Sequence, residues 1–167
     1  MALGTADATG RVATRNVLLK GFERRGFVFF TNYESRTARD LEVNPRASLL
    51  FSWLPLERQI EVAGSVEKIA REETESYFAS RPLASRIGAW ASPQSRVLAD
   101  SAELKRRVNE SIGRFRTEPL AAPPFWGGYR VIPQAFEFWQ GRPNRLHDRL
   151  RYSLDPGGTW TIVRLSP

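Results

Sequence analysis

The sequence contains no cysteine and only one histidine, His147. Without cysteine the chain cannot form a disulfide, a thiolate nucleophile, or a zinc or iron–sulfur site with thiolate ligands. A single histidine also excludes the clusters of imidazoles that many catalytic metal sites use. We therefore expect no metal ion among the groups that carry the function of this protein.

Long hydrophobic runs are absent as well. Apolar runs such as Phe27 to Phe30 and Ser48 to Trp53 have the length of a strand, whereas a membrane-spanning helix needs about 20 apolar residues. Nothing at the N-terminus resembles a secretory signal peptide, so we expect a soluble, cytoplasmic protein. With 41% hydrophobic residues in a chain of 167, the composition is that of a single domain with its own core.

Positive charge is in excess, because 25 Lys and Arg against 18 Asp and Glu give a formal net charge of +7. A basic surface attracts phosphate groups, whether these belong to nucleic acids or to small molecules. The cations are spread along the chain, with no basic tail and no zinc-finger or RNP-type motif. This distribution favours small phosphorylated ligands over nucleic acid.

The hydrophobic pattern indicates a mainly β fold. Short segments rich in β-branched and aromatic residues recur between turn residues, and we predict seven or eight strands with inserted helices. The predicted strands are 1–6, 11–20, 26–32, 47–53, 59–69, 129–139, 145–152 and 159–165. This combination favours a small antiparallel barrel over a doubly wound sheet. Neither GxGxxG nor a P-loop pattern occurs, so the corresponding nucleotide-binding loops are excluded.

A first candidate site is the segment Arg145-Leu146-His147-Asp148-Arg149. Side chains alternate along a strand, so Arg145, His147 and Arg149 would share one cationic face. The alternative is a solvated edge strand whose charges protect it from aggregation.

A second candidate is the spacing of Tyr77, Arg81 and Ser85, four residues apart. On a continuous helix these side chains form one stripe that can hold a phosphate. Pro82 should kink or restart that helix. In the alternative interpretation, Tyr77 packs in the core and Arg81 caps a helix C-terminus.

Further cations and hydroxyl groups mark three shorter segments. Arg15 and Lys20 lie at the two ends of a strand-like segment. Ser35-Arg36 begins a predicted helix, and a helix start favours phosphate. Residues 92–95 form a polar loop. Each of these also has an ordinary structural explanation, as strand-end charges, a helix cap or a turn. No acid–base pair or activated nucleophile is evident. The inventory is typical of a protein that binds a phosphorylated cofactor and leaves the chemistry to it.

Taken together, several segments resemble the pyridoxamine 5'-phosphate oxidase family. They occur in the family's order and span essentially the whole chain; EFWQG followed by RLHDR is highly specific. The matching stretches are RNVLLKGF, GFVFFTNYESR, LEVNPRASLLFSW, LERQIEVAG, YFASRPLASRIGAWASPQS, FWGGYRV, EFWQGRPNRLHDRL and RLSP.

The resemblance implies an antiparallel split β-barrel over residues 1–167, working as a homodimer with FMN in clefts between the subunits. It also implies oxidation of pyridoxamine or pyridoxine 5'-phosphate by O2, giving pyridoxal 5'-phosphate and H2O2. Arg145 and His147 would be the catalytic pair facing the substrate ring. The implied FMN contacts are Arg15, Lys20, Thr31, Ser35, Arg36, Gln59, Gln94, Ser95, Trp139 and Arg149. The implied substrate contacts are Lys20, Tyr77, Arg81, Ser85, Arg145 and His147.

The sequence departs from the family pattern at two places, and each departure predicts a change in binding. Thr37 stands where the family usually has lysine, so one cation near the FMN phosphate is missing and we expect weaker flavin binding. The family also has an N-terminal segment before the position of Met1 that helps to cover the substrate. We expect this second departure to reduce substrate affinity without any effect of its own on flavin binding.

Other functions fit parts of the same pattern. A related FMN oxidase of phenazine biosynthesis would share the RLH-type ending, but a phosphate clamp at Tyr77, Arg81 and Ser85 has no purpose for a substrate without phosphate. A non-catalytic binder of flavin or pyridoxal phosphate, or a basic nucleic-acid-binding barrel, is the alternative from a different class.

Overall fold

The computed structural model describes residues 1–167 and contains one sheet of nine strands with four α-helices between them. The strands are β1 (Ala2–Ala6), β2 (Val12–Asn16), β3 (Gly21–Glu23), β4 (Gly26–Asn32), β5 (Arg46–Trp53), β6 (Arg58–Lys68), β7 (Trp126–Gln140), β8 (Asp148–Leu154) and β9 (Trp160–Arg164). The helices are α1 (Arg36–Val43), α2 (Arg71–Ser80), α3 (Leu83–Ala91) and α4 (Ser101–Arg114). A mainly β fold with inserted helices is thus confirmed.

The sheet runs in the order β2-β1-β5-β6-β7-β4-β3, and β8 pairs with β7 and β9. The pairs β1–β2, β1–β5, β3–β4, β5–β6, β7–β8 and β8–β9 are antiparallel. The expected number of seven or eight strands was too low. The short strand β3 adds to it, since Gly21–Glu23 pairs with the start of β4.

Local turn chemistry determines two of the hairpins. Gly10 has a φ of 80° and its N–H donates to the carbonyl of Asp7 at 3.0 Å, which closes the turn between β1 and β2. Gly158, with a φ of 86°, closes the turn between β8 and β9 on Asp155 in the same way. Glycine adopts this backbone region without the steric cost that a Cβ brings.

By contact density the chain forms two compact units. Unit 1 comprises Met1–Phe29, Asp40–Glu67 and Arg130–Pro167, and unit 2 comprises Phe30–Arg39 and Lys68–Tyr129. The core of unit 1 contains Leu3, Phe29, Leu49, Val62 and Val131, all fully buried. The core of unit 2 is an aromatic cluster around Phe78 and Trp126. A single domain over 1–167 stays a prediction.

One buried cation belongs to unit 1. Arg130 is 1% exposed, and its guanidinium pairs with Glu23 at 3.1 Å and with Glu67 at 3.2 Å. Buried charges need such partners because desolvation is costly. Separately, no helix combines the length and the hydrophobicity that crossing a bilayer requires.

Candidate functional site

The N-terminus of α1 is organised by Ser35, which is fully buried. Its Oγ accepts a hydrogen bond from the N–H of Ala38 at 3.2 Å, as an N-cap residue does. The cap predicted from the sequence is therefore confirmed. The first turn of a helix has free N–H groups and the positive end of the helix dipole, both of which favour phosphate.

The loop after α3 joins this helix start within unit 2. The Oε1 of Gln94 accepts from the N–H of Asn32 at 3.1 Å and from Oγ1 of Thr31 at 3.4 Å. The Oγ of Ser95, a residue with a φ of 66°, accepts from the N–H of Arg36 at 3.2 Å. Five of the residues implied for FMN thus lie together, namely Thr31, Ser35, Arg36, Gln94 and Ser95.

The interpretation of Tyr77, Arg81 and Ser85 as one helical stripe is wrong. Helix α2 ends at Ser80, Arg81 is extended with ψ at 149°, and α3 begins at Leu83. Pro82 lacks an N–H and disfavours helical backbone at the residue before it. The interruption that Pro82 predicted is what the structure contains.

Aromatic stacking nevertheless brings Tyr77 and Arg81 to the same indole. The rings of Tyr77 and Phe30 stack at 4.1 Å, and Phe30 stacks on Trp126 at 5.1 Å. The guanidinium of Arg81 lies over the ring of Trp126 at 4.7 Å. Ser85 is exposed on the first turn of α3, with no hydrogen bond to its hydroxyl.

The guanidinium of Arg81 is incompletely satisfied. Its Nη1 is buried and has no hydrogen-bond partner. Burial lowers the pKa of Arg81 from its usual value, because desolvation disfavours the charged form. An unpaired buried donor is destabilising, and a phosphate oxygen is the kind of acceptor that would satisfy it.

In unit 1, the prediction of a strand over 145–149 is also wrong. Residues 143–146 form a tight turn, closed by a hydrogen bond from the N–H of Leu146 to the carbonyl of Pro143 at 3.2 Å, and β8 begins only at Asp148. Asn144 and Arg145 have φ values of 56° and 63°, a left-handed conformation that strands never use. Arg145, His147 and Arg149 therefore do not share one strand face.

His147 follows this turn, half-buried against an indole. Its ring lies 4.7 Å from that of Trp139, and its Nδ1 accepts a hydrogen bond from the N–H of Arg142 at 3.1 Å. Arg145 is exposed, and its side chain has no hydrogen bond or ion pair. A free guanidinium and an imidazole thus remain two residues apart on a tight turn.

Arg149 differs from Arg145 in that it is already paired. Its Nε donates to Glu137 at 2.7 Å and its Nη1 to the carbonyl of Ser166 at 3.0 Å. The hydrogen bond to Glu137 raises the pKa of Arg149. In the sheet Arg149 lies opposite Trp139, and Trp139 lines a cavity of about 330 Å³ together with Gln59.

Arg15 and Lys20 are not on one strand, contrary to expectation. Strand β2 ends at Asn16, and Lys20 is exposed in the segment that follows. Arg15 donates to Oγ1 of Thr5 at 2.6 Å and lies 3.5 Å from the buried carboxylate of Asp40. Thr5 in turn donates to Asp40 at 2.6 Å.

Sequence reasoning missed several of these partners. Asp40 and Thr5 hold Arg15 although no motif links them, and Arg142 holds His147 within a matching stretch whose letters do not reveal the contact. The contacts depend on strand pairing and turn conformation, so spacing along the chain carries no signal for them. The match of RLHDR to a family motif was the one indication that its surroundings matter.

Comparison with known proteins agrees with this fold. Residues 1–114 match the family model described as pyridoxamine 5'-phosphate oxidase, and residues 126–167 match that of the pyridoxine 5'-phosphate oxidase C-terminal dimerisation region. The chain is 58% identical over 167 residues to the pyridoxine/pyridoxamine 5'-phosphate oxidase of Cupriavidus taiwanensis, covering 100% of this chain and 78% of that relative.

Two solved structures extend the comparison. The chain is similar to PhzG from Burkholderia lata 383, solved in complex with tetrahydrophenazine-1-carboxylic acid, with a TM-score of 0.92, 32% identity and coverage of 99% and 81% of the two chains. A pyridoxamine 5'-phosphate oxidase-related, FMN binding protein from Nostoc punctiforme shares the fold at a TM-score of 0.77 and 18% identity, with coverage of 99% and 87%.

The fold is therefore the antiparallel split β-barrel expected from the sequence. More specifically, the chain belongs to the pyridoxamine 5'-phosphate oxidase family, and the resemblance drawn from its motifs is confirmed.

Proposed function

We propose that this protein oxidises pyridoxamine 5'-phosphate or pyridoxine 5'-phosphate to pyridoxal 5'-phosphate, with FMN as cofactor and as a homodimer. The observation that carries the proposal is Arg81, whose buried Nη1 lacks an acceptor beside the aromatic stack of Tyr77 and Trp126. A substrate phosphate would supply that acceptor. Tyr77, Ser85 and Lys20 are the other groups we assign to this phosphate.

The residues present also fit a cofactor that carries a phosphate. Thr31 is hydrogen-bonded to Ser35 and to Gln94 at the start of α1. The hydroxyl of Ser95 accepts from the N–H of Arg36, whose side chain is exposed without an ion pair. We assign these residues to FMN together with Arg15, Lys20, Gln59, Trp139 and Arg149. Trp139 and Gln59 would contact the cofactor from the cavity that they line.

When bound, FMN supplies the two-electron acceptor for oxidation at C4' of the substrate, with O2 as the final acceptor and H2O2 as co-product. The protein's own contribution is orientation, since correct placement of the reacting carbon accounts for a large part of such rate enhancements. Arg145 would orient the substrate ring through its free guanidinium. His147 would hold the ring by a hydrogen bond.

A homodimer is supported by the C-terminal match to a family dimerisation region. That region includes exposed apolar side chains on β7 and β9, namely Phe138, Trp160, Ile162 and Val163. Apolar surface of this kind is typical of subunit interfaces.

An oxidase of the phenazine type is the second candidate, favoured by the likeness to PhzG. A substrate without phosphate would leave the Nη1 of Arg81 unsatisfied. The unpaired nitrogen therefore argues for the phosphorylated substrate.

The test is to purify the full chain, add FMN, and measure H2O2 release with pyridoxine 5'-phosphate and with pyridoxine. We expect a yellow protein that turns over the phosphorylated compound and is nearly inactive on the other. Equal rates on both compounds would refute the role of Arg81 in substrate recognition. Protein that takes up no FMN would refute the proposal altogether, whereas FMN uptake without peroxide would indicate a non-catalytic binder.

A further inference from the structure

The environment of His147 defines which of its ring nitrogens carries the proton. One nitrogen, Nδ1, accepts a hydrogen bond from the backbone N–H of Arg142 at 3.1 Å, and the ring contacts that of Trp139 at a tilt of 42°. No hydrogen bond is made to the other nitrogen, Nε2, and no further interaction of this side chain exists. Nε2 is thus the only polar atom that His147 can offer to a ligand.

A backbone N–H can only donate, so the Nδ1 that faces it must present a lone pair. In a neutral imidazole the proton then resides on Nε2. We infer that His147 acts as a neutral hydrogen-bond donor through Nε2–H, with Arg142 holding this tautomer and Asp148 positioning Arg142. The inference deepens the proposed function, and its substrate role depends on that function.

The carboxylate of Asp148 anchors the turn that carries the Arg142 N–H. Its Oδ2 accepts from Nε of Arg142 at 2.8 Å and its Oδ1 from Nη1 of Arg164 at 2.6 Å. These hydrogen bonds, that of Arg142 first, lower the pKa of Asp148, so the anchor is ionised at neutral pH. The turn is also held at its start, where the N–H of Gly141 donates to the carbonyl of Glu57 at 2.7 Å.

This tautomer restricts the chemistry of the site. Nε2–H cannot remove a proton from the substrate, because that nitrogen has no free lone pair. It can donate to an oxygen or a ring nitrogen, and the exposed cation of Arg145 lies two residues away. A ligand group that meets Nε2 would therefore be a hydrogen-bond acceptor, and the C–H bond would be broken without His147 as base.

Nitrogen-15 labelling of histidine provides the test, since His147 is the only histidine and yields one imidazole signal set. At a pH high enough to keep the ring neutral, we expect Nδ1 to resonate as an unprotonated nitrogen and Nε2 as a protonated one. The reverse assignment, or averaging of the two resonances, would overturn the inference.

The role of Asp148 is tested by Asp148→Asn, for which we expect both resonances to move toward a common average. Arg142→Gln is a second variant, because it keeps the backbone N–H and removes only the bond to Asp148. Glu110→Gln is the matched control: it removes one exposed carboxylate, paired with Arg106 on α4, and should change nothing. Resonances unchanged in both Asp148→Asn and Arg142→Gln would refute the positioning role.

Activity offers an independent measurement. The amide nitrogen of glutamine lies near the place of Nε2 and that of asparagine near the place of Nδ1. We expect His147→Gln to have a kcat/KM about tenfold above that of His147→Asn, the value of one hydrogen bond. The reverse order would overturn the donor role. The resonance assignment needs no substrate, so the tautomer can hold even if the protein proves not to be an oxidase.

Discussion

Replacing Arg81 with methionine should stabilise the free protein while removing its affinity for phosphate. The buried Nη1 of Arg81 has no partner, and such a donor costs about 1–3 kcal/mol. The guanidinium stacks on Trp126 at 4.7 Å, which offsets roughly 0.5–1 kcal/mol. Methionine keeps an apolar stem and a favourable sulfur–aromatic contact of similar size. Since the two stacking terms nearly cancel, the net expectation is a gain of about 1–3 kcal/mol.

The assay is urea denaturation of the full chain without ligands, followed by thermal denaturation with and without pyridoxal 5'-phosphate. A gain of 1 kcal/mol corresponds to a rise in Tm of about 2–4 °C for a chain of this size. Pyridoxal 5'-phosphate should then raise the Tm of the original protein but leave that of Arg81→Met nearly unchanged, because ligand stabilisation follows affinity.

Arg114→Met is the matched control, since Arg114 lies over the ring of Trp90 at 4.8 Å but pairs with Glu118 at 2.7 Å. None of its nitrogens is both buried and without a partner, so we expect no stabilisation and an unchanged response to pyridoxal 5'-phosphate. If Arg81→Met is less stable than the original protein, or keeps its response to pyridoxal 5'-phosphate, the assignment of Arg81 as an unsatisfied phosphate ligand is wrong.

Three further predictions concern other parts of the molecule. Thr37→Lys should lower the flavin Kd about tenfold by restoring a cation near the helix start; titration by flavin fluorescence checks this, and a Kd that does not improve contradicts it. Asp40→Asn should lower the free energy of unfolding by about 2–3 kcal/mol, because Arg15 loses a buried carboxylate; urea denaturation measures this, and a loss below about 0.5 kcal/mol would count against the network. The pKa of Asp148 is depressed in the folded state. Its contribution to stability is therefore present above its unfolded pKa and is lost as the pH falls through the folded value. Below about pH 4 Asp148→Asn should lose stability less steeply than the original protein, and parallel curves of unfolding free energy against pH, measured with urea, would contradict this.

Much of the local structure was predictable from short stretches of sequence. Ser35 caps α1 because its short side chain reaches the backbone N–H of Ala38. Pro82 separates α2 from α3 because it lacks the N–H that a continuous helix would need. Gly10 and Gly158 likewise indicate hairpin turns, because glycine readily adopts the positive φ that these turns use. The family motifs also identified candidate residues on both compact units.

The candidate site was less predictable where a local sequence pattern is compatible with two backbone conformations. The alternation in Arg145-Leu146-His147 fits a strand, yet the chain forms a left-handed turn there, so the common face of Arg145, His147 and Arg149 does not exist. Likewise, the spacing of Tyr77 and Arg81 fits one continuous helix, but α2 ends at Ser80, before Arg81. Periodicity describes residues that share one backbone conformation, and it fails where that conformation changes.

The sequence by itself determined the family, the mainly antiparallel fold, the helix cap at Ser35 and the set of candidate phosphate ligands, because each of these depends on local propensity or on a short motif. Only the tertiary structure decided that Asp40 holds Arg15, that the Arg142 N–H selects the tautomer of His147, and that Arg81 lies unpaired over Trp126. These contacts join residues distant along the chain or depend on the exact path of a turn, and their energies arise from burial and geometry that no single segment contains.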